Sequence, residues 1–176
     1  MANQSSSRTG DDAFALLGLT PQFAIDPEAI ERAFLERSKQ VHPDRFATAS
    51  AAERSSALLQ SRALNDAYQM VKKPVARAEY LLARSGVTIG DNERLEPAMI
   101  EHVLELREEL ALARERQDPR ALEALQSQMR ARRTQAIEEL APLFAANDLA
   151  AIKRVLISLR YIDRYLDECD TALDGY

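Results

Sequence analysis

The sequence predicts an all-α protein built in two parts. Three observations carry that prediction. Ala, Leu, Glu, Arg and Gln dominate the composition, and all are strong helix formers. No stretch alternates apolar and polar residues between turn signals, as a half-buried strand would. Aspartates stand where helices would start, at Asp11 or Asp12, at Asp26 just before Pro27, and at Asp148. With 46% hydrophobic and 29% charged residues among 176, the chain is too apolar for disorder and long enough for one large domain or two small ones. Five Gly and seven Pro exclude a collagen-like design, and no apolar run approaches the roughly 18 residues that span a bilayer.

The elements follow in order. The Ser-rich, polar start, residues 1–10, reads as a flexible tail with no secretory signal, so the expected compartment is the cytoplasm. Asp11 or Asp12 caps a short helix that Gly18 ends, with Pro21 beyond. Asp26 and Pro27 open a helix to about Val41, with Ile30, Ala33, Phe34 and Val41 near one face. His42-Pro43 must interrupt it, because the residue before proline is pushed out of the helical region. Residues 45–52 read as a loop, and a long helix spans Ala52 to Val71 with Leu58, Leu64, Ala67, Tyr68 and Val71 inward. Pro74 restarts the chain into a short helix, Val75 to Ala83, and Ser85, Gly86, Gly90 and Asp91 mark a boundary. The predicted parts are therefore 11–83 and 96–176, joined by a linker at 84–95. The second holds three helices, Glu96–Glu115, Pro119–Leu143 with a disturbance at Pro142, and Asp148–Ala172. Short connections near Gln117-Asp118 and Ala146-Asn147 make them antiparallel neighbours in a three-helix bundle.

Charge and reactive residues narrow the function. Residues 1–84 carry 11 Lys and Arg against 10 Asp and Glu, whereas residues 85–176 carry 12 against 18. A nucleic-acid binder would show a strong basic face, so nucleic acid is not expected, and Arg130, Arg132 and Arg133 read as a solvated run. The acidic second half points to a different partner from the first. A single cysteine, Cys169, excludes an internal disulfide or a paired-cysteine metal site, and it reads as a small packing residue. The two histidines lie 60 positions apart, so no metal is expected, and His102 is assigned no role.

The tripeptide His42-Pro43-Asp44 is the most informative motif. Pro43 fixes its own φ and keeps His42 extended, so an imidazole and a carboxylate project from a defined place between two amphipathic helices. As an enzyme, the pair would be a general base and its orienting acid in a hydrolase, but no nucleophile or glycine-rich oxyanion turn lies nearby in sequence. As a plain turn, Asp44 would merely bond backbone. The helix opening the second part has a mixed face: Ile100, Leu104 and Glu108 are four apart, bordered by Glu101, Glu105 and Leu112. The apolar residues on it are either bundle core or the centre of a binding surface. Met99 and Val103 are the alternatives to Ile100 on that face.

A short helix, a long helix, an HPD loop and a second long helix, in that order, resemble a J-domain. Four stretches in the first part, Phe14-Ala15-Leu16-Leu17-Gly18-Leu19, Val41-His42-Pro43-Asp44-Arg45-Phe46, Leu64-Asn65-Asp66-Ala67-Tyr68 and Arg77-Ala78-Glu79-Tyr80-Leu81-Leu82, look like the HscB family, the J-type co-chaperones of iron–sulfur cluster assembly. In the second part Leu104-Glu105-Leu106-Arg107-Glu108-Glu109-Leu110 and Leu159-Arg160-Tyr161-Ile162-Asp163 look like that family's C-terminal domain. The resemblance covers roughly residues 11–172, in order. A J-protein serving another client would share the loop but not the second-half motifs.

The resemblance implies an L-shaped, non-enzymatic co-chaperone. Its N-terminal J-domain, a helical hairpin, would bind the DnaK-type chaperone HscA through His42, Pro43, Asp44, Arg32, Lys39 and Arg45, and would stimulate its ATPase. Its C-terminal three-helix bundle would bind the scaffold IscU through Ile100, Glu101, Leu104, Glu105, Glu108, Leu112 and Tyr161, the last matching the family's aromatic on the final helix. Some eukaryotic relatives carry paired N-terminal cysteines that hold zinc. This chain has none there, so the resemblance brings no metal and no cofactor.

Overall fold

A computed structural model describes residues 12–46, 48–90, 93 and 97–175. The expected tail at 1–10, Asp11 as a cap, linker positions 91, 92, 94 and 95, and Glu96 as a helix start lie outside them, as do the side chains of Pro43, Met99 and His102. Among the described residues every regular element is helical: α1 (Ala13–Leu17), α2 (Pro27–Val41), a 3-10 turn (Pro43–Phe46), α3 (Ala51–Lys72), α4 (Pro74–Arg84), α5 (Pro97–Glu115), α6 (Pro119–Ala145) and α7 (Leu149–Leu173). The chain divides into two compact units, Met1–Leu81 and Leu82–Tyr176.

In the first unit local chemistry sets each boundary. Asp12 accepts the Phe14 amide at 3.0 Å to start α1, and Gly18 ends it at φ 71°. A side chain at Gly18 would be strained there and would also bring its Cβ to 2.6 Å from Arg37 Nη2. Asp26 accepts the Glu28 amide at 3.0 Å, with Pro27 as the first helical residue of α2. His42, extended at ψ 129°, stops α2 as a residue before proline must. The predicted loop at 45–52 is shorter in the structure, because residues 45 and 46 belong to the 3-10 turn and α3 starts at Ala51. A reciprocal cap brings that start forward: the Glu53 amide donates to Ser50 Oγ at 3.3 Å, and the Ser50 amide donates to Glu53 Oε2 at 2.9 Å.

The buried stripe of α3 is Ala57, Leu64, Ala67, Tyr68 and Val71. Leu58 is not part of it. It is 62% exposed, because a seven-then-four spacing back from Tyr68 and Leu64 reaches Ala57, one residue and about 100° away. Tyr68 ties the two long helices together. Its ring stacks on Phe34 at 4.2 Å, its hydroxyl donates to Glu31 Oε2, and it accepts from Lys72 Nζ at 2.7 Å. Arg77 of α4 is buried and donates from Nη1 to the Val71 carbonyl at 2.6 Å, near the C-terminal end of α3, with its guanidinium 5.1 Å from the Phe23 ring centroid. Burial pulls its pKa below the usual arginine value. Tyr80 holds α4 to α1, since its hydroxyl accepts from the Ala13 amide and donates to Asp12 Oδ1, both at 3.1 Å.

The second unit is a three-helix bundle. Asp118 accepts from the Arg120 and Ala121 amides to start α6, and Asp148 accepts from the Ala151 amide at 2.9 Å to start α7. The two reversals place Gln117 and Asn147 at φ 51° and 54°, a conformation Asn tolerates well. Pro142 does not disturb α6 as predicted. It falls within the last turn, where its missing N–H removes one bond and the helix continues to Ala145. The core joins Leu106, Leu110 and Ala113 of α5 to Leu122 and Met129 of α6 and to Ile162, Tyr165 and Cys169 of α7. The Tyr165 hydroxyl donates to the Leu106 carbonyl at 3.0 Å, and burial pushes that phenol and the Cys169 thiol up in pKa. Cys169 thus packs as a neutral thiol. Arg130 and Arg133 of α6 are engaged by Asp170 and Asp163 of α7.

Candidate binding surfaces

The first surface is the turn between α2 and α3. The side chains of His42 and Asp44 are 58% and 90% exposed, so both stand in water. His42 Nδ1 accepts the Asp44 amide at 3.3 Å in the neutral ring, and in the protonated ring it faces Asp44 Oδ2 at 3.5 Å. Either way the imidazole is held against its own turn with Nε2 left over for a partner. Arg45 is fixed as well: it donates from Nη1 to the Lys39 carbonyl at 3.1 Å, satisfying an acceptor at the open end of α2. Lys39 lies exposed one turn from the tripeptide. Arg32 is not brought to the loop. It lies ten residues back along α2, about 15 Å at the helical rise. There it bonds Glu28 Oε2 at 3.3 Å and meets Asp26 Oδ2 at 3.5 Å.

The second surface is the side of α5 that faces away from the bundle. Ile100, Leu104 and Leu112 are 46%, 55% and 48% exposed, although each is a large aliphatic residue. Glu101, Glu105 and Glu108 are exposed among them. The core seam of this helix, Leu106, Leu110 and Ala113, lies on the opposite side, so the bundle-core alternative for Ile100 and Leu104 is overturned. Val103 is half-buried and faces α7, which leaves Ile100 as the outward residue of the two.

Tyr161 sits on the α7 flank of α5. It lines a narrow slot of about 30 Å³ with Val103, Leu106, Arg107 and Ile162, and the guanidinium of Arg164 lies 5.8 Å from its ring centroid. Leu104 is not a wall of that slot, so the predicted residues form a band that reaches Tyr161 by way of Val103 and Arg107. Arg132, which the sequence places in a solvated run, and Arg164, which the sequence reading does not single out, also line the slot. Arg164 is three residues from Tyr161, one helical neighbour along α7, and that spacing was the available signal.

Comparison with known proteins adds three findings. The family model described as the HSCB C-terminal oligomerisation domain matches residues 95–170. Curated relatives include a co-chaperone protein HscB homolog of Paraburkholderia phymatum, 34% identical over 93% of this chain and 95% of its own, and one of Bordetella pertussis, 41% identical over 74% and 78%. Among solved structures, the chaperone HscB of Vibrio cholerae is similar with a TM-score of 0.78 and 33% identity, over 93% of this chain and 98% of its own. No helix among the described residues is long and apolar enough to cross a membrane.

Proposed function

The chain belongs to the HscB family of co-chaperones, and from that premise we propose that it stimulates the ATPase of the DnaK-type chaperone HscA through its J-domain and delivers the scaffold IscU to it through the C-terminal bundle. The observation that carries this reading is the outward face of α5, where Ile100, Leu104 and Leu112 stay in water while the same helix buries a separate seam. An exposed aliphatic row set among carboxylates is costly unless a partner covers it. The His42–Asp44 turn supports the other half, as a rigid polar projection with no desolvated site around its imidazole. The protein itself hydrolyses nothing and acts in the cytoplasm. One body carrying both contacts raises the effective concentration of scaffold at the chaperone.

A coupled ATPase assay tests the reading. Added to HscA, the chain should raise turnover, and IscU should raise it further, while the chain alone turns over no ATP. Stimulation without any binding of IscU would leave a J-protein with another client, and turnover by the chain alone would make it an enzyme.

A further inference from the structure

We propose that Leu35 of α2 and Leu58 of α3 are apolar anchors for the DnaK-type chaperone, one on either side of His42. This rests on the J-domain reading and adds the chemistry of that contact. Both are large aliphatic side chains left in water, 49% and 62% exposed. A lone exposed leucine is ordinary, and these two are set apart by their position. Phe34 stacking on Tyr68, and Glu31 Oε2 at 3.6 Å from Lys72 Nζ, fix the antiparallel register of α2 and α3 and mark one edge of the hairpin. Each residue turns a helix by about 100°. Leu35, four residues beyond Glu31, and Leu58, fourteen before Lys72, therefore both stand within about 40° of that edge.

The same edge carries the histidine of the tripeptide. Leu35, Lys39 and His42 follow at spacings of four and three, so they form one stripe of α2. His42 keeps a helical φ of −62° although its ψ is extended, so its Cβ still follows that stripe. Counted from the Phe34–Tyr68 pair, Leu58 lies ten residues back along α3, level with residue 44 across the turn. The turn packs on α3, and Arg45 pins it to the Lys39 carbonyl at 3.1 Å, so the tripeptide and both leucines belong to one surface. Charge contributes less here, since Arg32 is already taken up by Glu28 and Asp26. A partner that receives His42 covers aliphatic surface before and after it, and burying that surface is worth more than exposed ion pairs in water. The matching face of the chaperone is apolar on both sides of the group that receives the imidazole.

Titration of HscA ATPase with the full-length chain tests this, using Leu35→Ala, Leu58→Ala, their combination, Leu35→Lys, His42→Gln and, as a control, Leu59→Ala. Leu59 is 66% exposed but one residue further round α3, off the edge. The combined variant should raise the concentration for half-maximal stimulation by at least about tenfold and keep the maximal turnover, as lost anchors do. Leu35→Lys should weaken as Leu35→Ala does, Leu59→Ala should match wild type, and His42→Gln should give no stimulation at any concentration. A wild-type titration by the combined variant, with His42→Gln inactive, overturns the anchors and leaves the J-domain reading standing. Stimulation by His42→Gln overturns that reading itself. Tighter action of Leu35→Lys would show that the face reads charge, and a loss in Leu59→Ala equal to that in Leu58→Ala would show that position is irrelevant; either overturns the proposal. If sedimentation shows that the combined variant alters self-association while stimulation holds, the occupant is a second copy of the chain and the proposal fails. Should the combined variant melt early, Leu35→Gln and Leu58→Gln separately decide by the same comparison, since both positions are exposed.

Discussion

Leu104 and Leu106 stand two residues apart in one helix and should respond to the same substitution in opposite ways. Leu106 is 7% exposed within the bundle core, so Leu106→Ala removes buried methyls and leaves a cavity, at a cost of about 3 kcal/mol. Leu104 is 55% exposed, so roughly half of the ~2 kcal/mol of full leucine burial is engaged and no cavity forms. Leu104→Ala should cost less than about 1 kcal/mol. In binding the order reverses. Truncating an interface anchor costs about 1–4 kcal/mol, which is between about fivefold and several hundredfold in Kd. Urea unfolding of each variant, paired with calorimetric titration against IscU, reads both quantities. Equal loss of stability in the two variants would refute the assignment of Leu104 to an outward face. A well-folded Leu104→Ala with unchanged Kd would refute the use of that face by the scaffold.

Three further outcomes follow from named contacts. His42→Gln and Asp44→Asn should each melt within about 0.5 kcal/mol of wild type, as exposed substitutions do, yet abolish stimulation of HscA; an early melt would make the turn structural. Tyr165→Phe should cost about 1 kcal/mol in unfolding free energy by removing the bond from α7 to the Leu106 carbonyl, and no loss would show the bond to be energetically idle. Hydrogen bonds from Ser50 hold the Glu53 carboxyl below the usual carboxylate pKa, so its stabilising effect is present at neutral pH and is lost as pH falls through its lowered value. The stability gap between wild type and Glu53→Gln should therefore narrow on acidification, and a gap independent of pH would refute the ionic cap.

Much of this architecture is legible from residue chemistry alone. Asp26-Pro27, Asp148 and Gly18 act through local bonds and local torsions, so their helix ends fall where the sequence puts them. The Leu58 error arose because projecting a stripe needs an absolute rotation, which tertiary packing sets and which a small residue such as Ala57 satisfies by close approach. Pro142 misled because the cost of a proline depends on how many turns follow it. At the candidate sites, the outward direction of Leu104 was open in the sequence, since an apolar residue among glutamates fits both a core and an interface. Arg32 stands ten residues before the tripeptide on α2, and its pairing with Glu28 is an i,i+4 contact that the sequence spacing allows.

The pairing of Arg130 with Asp170 and of Arg133 with Asp163 has an effect at a distance. Those pairs close opposite charges on each other, so their fields cancel within a few ångströms and contribute little farther out. The second half carries excess negative charge, and on α5 the exposed carboxylates Glu101, Glu105 and Glu108 cluster beside apolar surface. A cationic partner diffusing in would be drawn toward α5. Such guidance acts over roughly 8 Å at physiological ionic strength, so it would govern how often encounters are productive and would fade as salt rises.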